Sequence, residues 1–323
     1  MLFSAANGVL TGMESGLAQI AGGFTAAIWP VLSSLLSLWL FLPGQALAEV
    51  GSAVGLMEKQ VLFGPESAKE WSVAESTLEP STAHLKSGKS VFHWHVTVDH
   101  SSGEPAHPIG WPRTTHGIRA GPERDWSTWD FLHFRVYTET SRPALPKEPA
   151  ALILHTPDRE SEYHRILSEL RKNEWVEITV PLDRVPRCQD VRLIQFYLSE
   201  SRYQHKDELD LYIDDLCLMR YAKPALLEFA AERAVLYADE KQIPVHFQLL
   251  GVKPGETQDV SIELRREGRV AGHTTVHAGR GAHRALLETS GRLEPGIYDL
   301  SARVAGSVEV SAPQVRLVES PWK

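Results

Sequence analysis

Short runs in which apolar and polar residues alternate recur along the chain after residue 48, and they predict β-strands rather than amphipathic helices. In residues 90–98, Phe92 and Trp94 fall on one face, while His93 and His95 fall on the other. Further strands are predicted at residues 131–137, 151–155, 175–180, 192–198, 209–218, 245–250, 260–265, 285–288, 297–304 and 315–318. We therefore expect an all-β protein. Residues 159–172 fit a short helix or a long loop that carries Ile166 and Leu170 inward, and the loop is favoured.

The distribution of tryptophan divides this β-rich region into two parts. Of the seven tryptophans after residue 48, six lie between Trp71 and Trp175, and aromatic residues become sparse beyond residue 224. Clusters of Gly and Pro continue in the second part at the spacing typical of a small sandwich. We predict one domain at residues 57–222 and a second at residues 224–323.

The first 48 residues carry a single charge, Glu14, and residues 24–42 form an uncharged, mostly apolar run. Small residues at Ala46 and Ala48 provide a signal-peptidase site, so residues 1–48 are predicted to be a signal peptide of an exported protein. The protein would be periplasmic, extracellular or associated with the cell envelope. The alternatives are an uncleaved membrane anchor, since 19 residues approach the roughly 20 that span a bilayer, and a buried helix.

Charge and cysteine content exclude several classes of protein. Thirty-three Lys and Arg against 41 Asp and Glu give a net charge of −8, which disfavours a nucleic acid partner. Two cysteines are too few for a disulfide scaffold or a four-thiolate zinc site. Cys188 and Cys217 are predicted to be independent thiols, with a disulfide as the alternative.

Three segments of the first part resemble one known fold family. Residues 125–134 (DWSTWDFLHF), 173–182 (NEWVEITVPL) and 211–216 (LYIDDL) look like strands of galactose-binding-like jelly rolls that serve as carbohydrate-binding modules. The resemblance covers about residues 60–220. It implies a jelly-roll domain that binds a glycan or polysaccharide without cleaving it.

The second part resembles a different sandwich. Residues 293–300 (LEPGIYDL) look like the tight turn and tyrosine that begin a late strand of immunoglobulin-like or fibronectin-like domains. The resemblance implies an immunoglobulin-like β-sandwich at residues 224–323, and it assigns no chemistry.

Alternation predicts that a set of polar and aromatic side chains shares the one face of the first sandwich opposite the apolar core, and sugar recognition needs such a mixture of stacking rings and hydrogen-bonding groups. A loop adds a tryptophan between Gly and Pro, followed by an arginine. The predicted ligand-binding residues are His93, His95, His133, Arg135, Gln195, Tyr197, Trp111 and Arg113. The alternative is a packing role for these side chains as hydrogen-bonded polar groups.

A structural calcium ion is suggested by the resemblance, because matching modules use the strand that here contains Asp214 and Asp215. Glu66 is the candidate for the early carboxylate, although the family places it directly after a Phe and this chain has Phe63-Gly64 there. Calcium needs six to eight oxygen ligands. No cofactor is expected to be required.

Catalytic patterns are incomplete. His93 and His95 give two imidazoles on one strand face, but Glu104 is too far along the chain to complete a cupin-type metal site. Glu208 and Asp210 resemble the Glu-x-Asp-x-Glu strand of retaining glycosidases, yet Tyr212 stands where the third carboxylate is required.

We therefore predict an exported, non-catalytic glycan-binding protein. One alternative is a cell-envelope adaptor that contacts other proteins. Another is a hydrolase or lyase that uses the histidine-rich face, and convergence of His93, His95, His133 and a carboxylate within hydrogen-bond reach would favour it over the others.

Overall fold

The computed structural model describes residues 57–86, 88–101, 109–157 and 162–321. The predicted leader or anchor at residues 1–48 lies outside this part of the chain. The described residues form β-strands and short 3₁₀ helices, which confirms the all-β prediction. Among them, no helix combines the length and the apolar character that crossing a bilayer requires.

Eleven strands make up the first half of the fold, in two antiparallel sheets. They are β1 (Met57–Val61), β2 (Ser72–Ala74), β3 (Thr77–Ser81), β4 (Val91–Thr97), β5 (Arg113–Gly117), β6 (Phe131–Thr140), β7 (Ala151–His155), β8 (Tyr163–Ile166), β9 (Trp175–Pro181), β10 (Leu193–Tyr197) and β11 (Glu208–Tyr221). The first sheet has the order β3-β4-β11-β6-β9, with β1 also paired to β11. The second sheet has the order β2-β5-β10-β7-β8.

These two sheets pack face to face over one hydrophobic core. Phe134 of the first sheet meets Phe196 of the second at a ring-centroid distance of 5.4 Å. Trp94 and Leu132 are fully buried between the sheets. Because side chains alternate across a strand, the residues next to these core positions point away from the sandwich. Each sheet therefore has an outer face, defined here as the face turned away from this core.

Nine further strands follow: β12 (Ala225–Ala231), β13 (Val235–Tyr237), β14 (Gln242–Leu250), β15 (Gln258–Arg266), β16 (Arg269–Ala278), β17 (Gly281–Glu288), β18 (Gly296–Val304), β19 (Val310–Ser311) and β20 (Val315–Val318). A three-stranded sheet, β12-β14-β17, and a second sheet, β13-β20-β18-β15-β16 with β19 beside β18, enclose a separate core. The Tyr298 hydroxyl donates a hydrogen bond to the Glu294 carbonyl at 2.8 Å, which braces the start of β18. The immunoglobulin-like assignment stays a prediction.

The two cores belong to one compact unit. Polar contacts join them around Asp130, which is almost fully buried. Its carboxylate accepts hydrogen bonds from the backbone amides of Tyr221 and Gly251 and pairs with Arg280. Because these contacts join residues on both sides of residue 223 within one unit, the domain boundary near that residue stays a prediction.

Every strand that the alternation predicts is present, within a few residues at each end. The segment 159–172 differs from the expectation: its described part contains β8, and Ile166 is exposed rather than inward, whereas Leu170 is buried. Several strands were not predicted, namely β1, β2, β3, β5, β8, β12, β13, β16 and β19. Many of these are short or lie at sheet edges, where alternation gives little signal.

Candidate functional site

The outer face of the first sheet gathers polar and aromatic side chains from four neighbouring strands. Strands β4, β11, β6 and β9 lie side by side. Each contributes the residues that alternate with its buried, core-facing residues and therefore point outward. These outward residues are His93, His95, Asp210, Tyr212, His133, Arg135, Tyr137, Glu139, Trp175 and Glu177. They include four of the residues predicted to bind a ligand.

An unbroken row of rings crosses this face, which we call the aromatic row: Trp175, Tyr137, His84, Tyr212 and His93. The Trp175 and Tyr137 centroids are 5.7 Å apart, and His84 stacks on Tyr137 at 4.1 Å. His84 meets Tyr212 edge-on at 4.7 Å, and Tyr212 stacks on His93 at 4.6 Å with an interplanar angle of 5°. His84 comes from the connection between β3 and β4, so a loop residue completes a row that the strands begin.

Glu139 hydrogen-bonds within this row. Its carboxylate lies 3.2 Å from His84 Nε2 and accepts a hydrogen bond from the Tyr212 hydroxyl at 3.4 Å. Burial, together with the nearby Glu139 and Asp210 carboxylates, raises the pKa of Tyr212 to about 12. Tyr212 is therefore a neutral donor at physiological pH, and Glu139 holds the His84 ring over the sheet.

At one end of the row, two histidines converge on one carboxylate. Asp210 Oδ1 lies 2.7 Å from His93 Nε2 and 2.7 Å from His95 Nδ1. Hydrogen bonds from the two rings, that of His93 first, hold the pKa of Asp210 below its ordinary value despite partial burial. Glu208, which lies on the same face of β11, approaches His95 Nε2 at 3.3 Å.

His133 and Arg135 occupy a different part of the same face. The ring of His133 is buried beside Thr179 and lies 3.8 Å from Asp215, and burial lowers its pKa. Arg135 pairs with Glu177 at 3.2 Å and with Asp215 at 3.7 Å. On β11, His133 is opposite Cys217, whereas His93 is opposite Tyr212. The two positions on β11, Tyr212 and Cys217, are about 15 Å apart along the strand, so these histidines do not converge.

The predicted calcium ligands lie in ordinary polar surroundings. Asp215 forms an ion pair with Lys59, and Asp214 accepts a hydrogen bond from the Asp215 amide at 2.8 Å. Glu66 lies in the 3₁₀ helix Pro65–Glu70. Within the described ranges, the one group of three metal-ligating side chains that the fold brings together is His93, His95 and Asp210. Calcium at Asp214, Asp215 and Glu66 stays a prediction.

The other predicted ligand-binding residues lie on the opposite side of the sandwich. Gln195 and Tyr197 belong to β10 and Arg113 to β5, and both strands are in the second sheet. Trp111 precedes β5 and meets Tyr197 at 5.2 Å. The expectation that Gln195 and Tyr197 share one face with His93 and Arg135 is wrong, because alternation shows which residues point outward but not which sheet carries them.

This second outer face holds a smaller ring cluster. The Arg113 guanidinium lies over the Trp111 ring at 5.3 Å, and the Tyr197 hydroxyl lies 2.6 Å from His164 Nε2. Burial raises the pKa of Tyr197. Gln195 is only 7% exposed, and within the described part of the chain its Nε2 has no hydrogen-bond partner.

Sequence reasoning did not select Trp175, Glu139, Asp210 or His84 as site residues. For Trp175 a signal existed. Ile178 and Val180 occupy the core-facing, even-numbered positions of β9, so Trp175 and Glu177 at odd-numbered positions must point outward. For His84 no strand pattern applies. Asp210 required knowledge that β11 lies beside β4, which the sequence does not give.

No protein-family model matches the chain, and no curated protein matches it. Solved structures with some similarity include the CBM27-1 module of Caldicellulosiruptor saccharolyticus in complex with mannohexaose, at 12% identity over 50% of this chain and 96% of that one, with a TM-score of 0.29. The CBM22-1–CBM22-2 tandem of Xyn10C from Paenibacillus barcinonensis matches at 8% identity over 83% and 99%, with a TM-score of 0.30.

A third similar structure is the Endo-D glycoside hydrolase domain from Streptococcus pneumoniae, at 9% identity over 76% of this chain, with a TM-score of 0.26. The present chain spans 37% of the length of that domain. Identities and TM-scores at this level assign no ligand and no activity to this chain.

Proposed function

We propose that this chain is an exported, non-catalytic glycan-binding protein whose ligand lies along the aromatic row on the outer face of the first sheet. The observation that carries the proposal is the combination of that row with the charged groups beside it, Glu139, Arg135 and Glu177. Export rests on the uncharged run at residues 24–42 and on the small residues before Glu49.

The physical match is between a sugar ring and this mixture of side chains. A pyranose has an apolar C–H surface that stacks on an aromatic ring, and hydroxyls that need fixed donors and acceptors. Trp175 and Tyr137 supply half-buried rings on neighbouring strands, so their positions are held by the sheet. Each sugar contact would be weak, because hydroxyls lose bound water on binding. An extended chain that covers several rings would bind best.

The alternatives gain less support. Convergence of His133 with His93 and His95 would have favoured the hydrolase or lyase hypothesis, but the register separates them. The adaptor hypothesis is favoured by exposed apolar residues on the second sandwich, where Val235 and Ile297 both lie beside Arg316. That area is small, and a charged residue interrupts it.

A glycan array probed with the whole chain, followed by calorimetry on any hit, tests the proposal. Trp175→Ala and Arg135→Ala should weaken binding by roughly tenfold each, equivalent to about 1.4 kcal/mol. Trp111→Ala is the matched control, since it removes a tryptophan from the opposite outer face and should bind as the parent does.

Two results would count against the proposal. Absence of binding to every glycan tested would remove it. Loss of binding in Trp111→Ala with parental binding in Trp175→Ala would contradict the assignment to the first sheet and move the site to the face that carries Tyr197 and Gln195.

A further inference from the structure

The cluster formed by His93, His95 and Asp210 has the donor set of a metal site. One nitrogen of each ring and one carboxylate oxygen lie within 4.8 Å of one another. The strands impose this arrangement: β4 and β11 are antiparallel neighbours, with His95 directly opposite Asp210 and His93 two residues away on the same face. Side chains related in this way across a strand pair are within reach of each other.

Each ring also has a carboxylate on the side of its far nitrogen, although only the one beside His95 is within hydrogen-bond distance. Glu208 Oε2 lies 3.3 Å from His95 Nε2, and Glu79 Oε1 lies 3.8 Å from His93 Nδ1. When a metal ion replaces the near-nitrogen protons, a carboxylate hydrogen-bonded behind a histidine holds the remaining proton on the far nitrogen, and Glu208 is placed to do this for His95. The near nitrogens, His93 Nε2 and His95 Nδ1, are the two that face Asp210.

Three potential ligand atoms therefore point at one another. Without a metal ion, each near nitrogen carries a proton that it donates to Asp210, and a metal ion could replace those two protons. Nitrogen and oxygen ligands bind Zn²⁺ at about 2.0–2.2 Å, which places ligand atoms about 3.3 Å apart around a tetrahedral ion. The observed separations of 2.7 Å need to widen by about half an ångström, which is a small rotation for the partly exposed rings.

The cluster is also accessible. The side chains of His93, Asp210 and His95 are 19%, 23% and 33% exposed, so an ion can enter from solvent and water can complete its coordination. Two imidazoles with one carboxylate suit zinc and neighbouring transition metals better than calcium, which prefers oxygen ligands.

We propose that His93, His95 and Asp210 bind one divalent transition-metal ion, with Zn²⁺ as the first candidate, and that Glu208 orients the His95 ring. The site lies at the end of the aromatic row, yet metal binding does not depend on the glycan proposal. It is measured with no sugar present, so either proposal can fail alone.

The experiment uses the whole chain, stripped with EDTA and desalted. Calorimetry with ZnCl₂ should give one ion per chain, and CoCl₂ should give the visible absorption of a nitrogen- and oxygen-ligated Co²⁺ ion. His93→Gln, His95→Gln and Asp210→Asn should each weaken Zn²⁺ binding by at least roughly tenfold, and Glu208→Gln by roughly tenfold. The matched control is His164→Gln, which removes a histidine from the opposite face and should bind Zn²⁺ as the parent does.

Circular dichroism shows which variants are folded, and the three ligand variants are independent, so failure of one to fold leaves two to decide. Absence of Zn²⁺ and Co²⁺ binding to the folded parent overturns the proposal and indicates a cluster held together by protons. Undiminished binding in folded Asp210→Asn and His95→Gln overturns it as well, because the ion then binds elsewhere.

Discussion

Arg280 Nε lies 3.2 Å from Asp130 Oδ1, and this ion pair joins two parts of the chain that are 150 residues apart. Asp130 ends the connection before β6, and Arg280 directly precedes β17. The side chain of Asp130 is 2% exposed, and that of Arg280 is 12% exposed. The Arg280 guanidinium also donates to the carbonyls of Ser127 and Trp129. Burial raises the pKa of the Asp130 carboxyl, while the Tyr221 amide, Arg280 and the Gly251 amide act against that rise.

Arg280→Ala is therefore expected to destabilise the protein by about 3–5 kcal/mol, the usual cost of leaving one partner of a buried pair without the other. Urea unfolding followed by tryptophan fluorescence measures the change. Arg284→Ala is the control, because Arg284 makes an exposed pair with Glu232 and its loss should leave stability unchanged. Equal effects of the two substitutions would contradict a special role for the pair.

Gly251 lies at the same junction and has a positive φ of 70°. A Cβ added there would lie 2.4 Å from the Lys223 carbonyl oxygen, so Gly251→Ala combines backbone strain with a steric clash. Gly255 has a φ of 80° but open space around the Cβ position, so Gly255→Ala suffers the strain alone, about 1–2 kcal/mol. We expect Gly251→Ala to have the lower melting temperature. Equal melting temperatures would show that the junction relaxes around the added methyl group.

His133 makes stability depend on pH. Burial lowers its folded-state pKa, whereas the unfolded imidazole titrates near the ordinary value of about 6.5. The unfolded chain therefore takes up the proton first as pH falls. The stability contributed by neutral His133 is complete above about pH 6.5 and is lost as pH falls through the lowered folded-state pKa.

The parent should accordingly lose more unfolding free energy than His133→Gln between about pH 8 and about pH 5. Urea titrations at a series of pH values give the two curves. The other histidines are common to both chains, and their contributions largely cancel in the difference. Parallel curves would exclude His133 as a source of the pH dependence.

The two cysteines are free, and both are shielded. Burial raises the pKa of Cys217 to about 11 and raises that of Cys188 as well. Because the thiolate is the reactive form, Cys217 should react slowly with a thiol reagent in the native protein. After unfolding without reductant, two thiols per chain should react at once. A count of zero would reveal a disulfide between them.

The side of each strand that faces the core could be predicted from sequence. In β6, Leu132, Phe134 and Val136 point inward and His133 and Arg135 point outward, as alternation requires. This succeeds because the two-residue period is a property of the extended backbone itself and needs no partner strand.

Pairing between strands could not be predicted in the same way. Asp210 and His95 are 115 residues apart, and only the order β3-β4-β11-β6-β9 brings them together. The same applies to Gln195 and Tyr197, which have the outward parity of Arg135 but belong to the opposite sheet. Sheet order depends on long-range packing of the whole core, which no local pattern encodes.

By itself, then, the sequence determined the all-β class, the position of most long strands and the side of each strand that faces the core, because these depend on local backbone geometry and on the burial of apolar side chains. The tertiary structure alone decided which outward residues became neighbours. It separated His133 from His93, placed Trp111 and Trp175 on opposite faces, and brought Asp210 between two histidines, because contacts across a sheet are set by strand order and register.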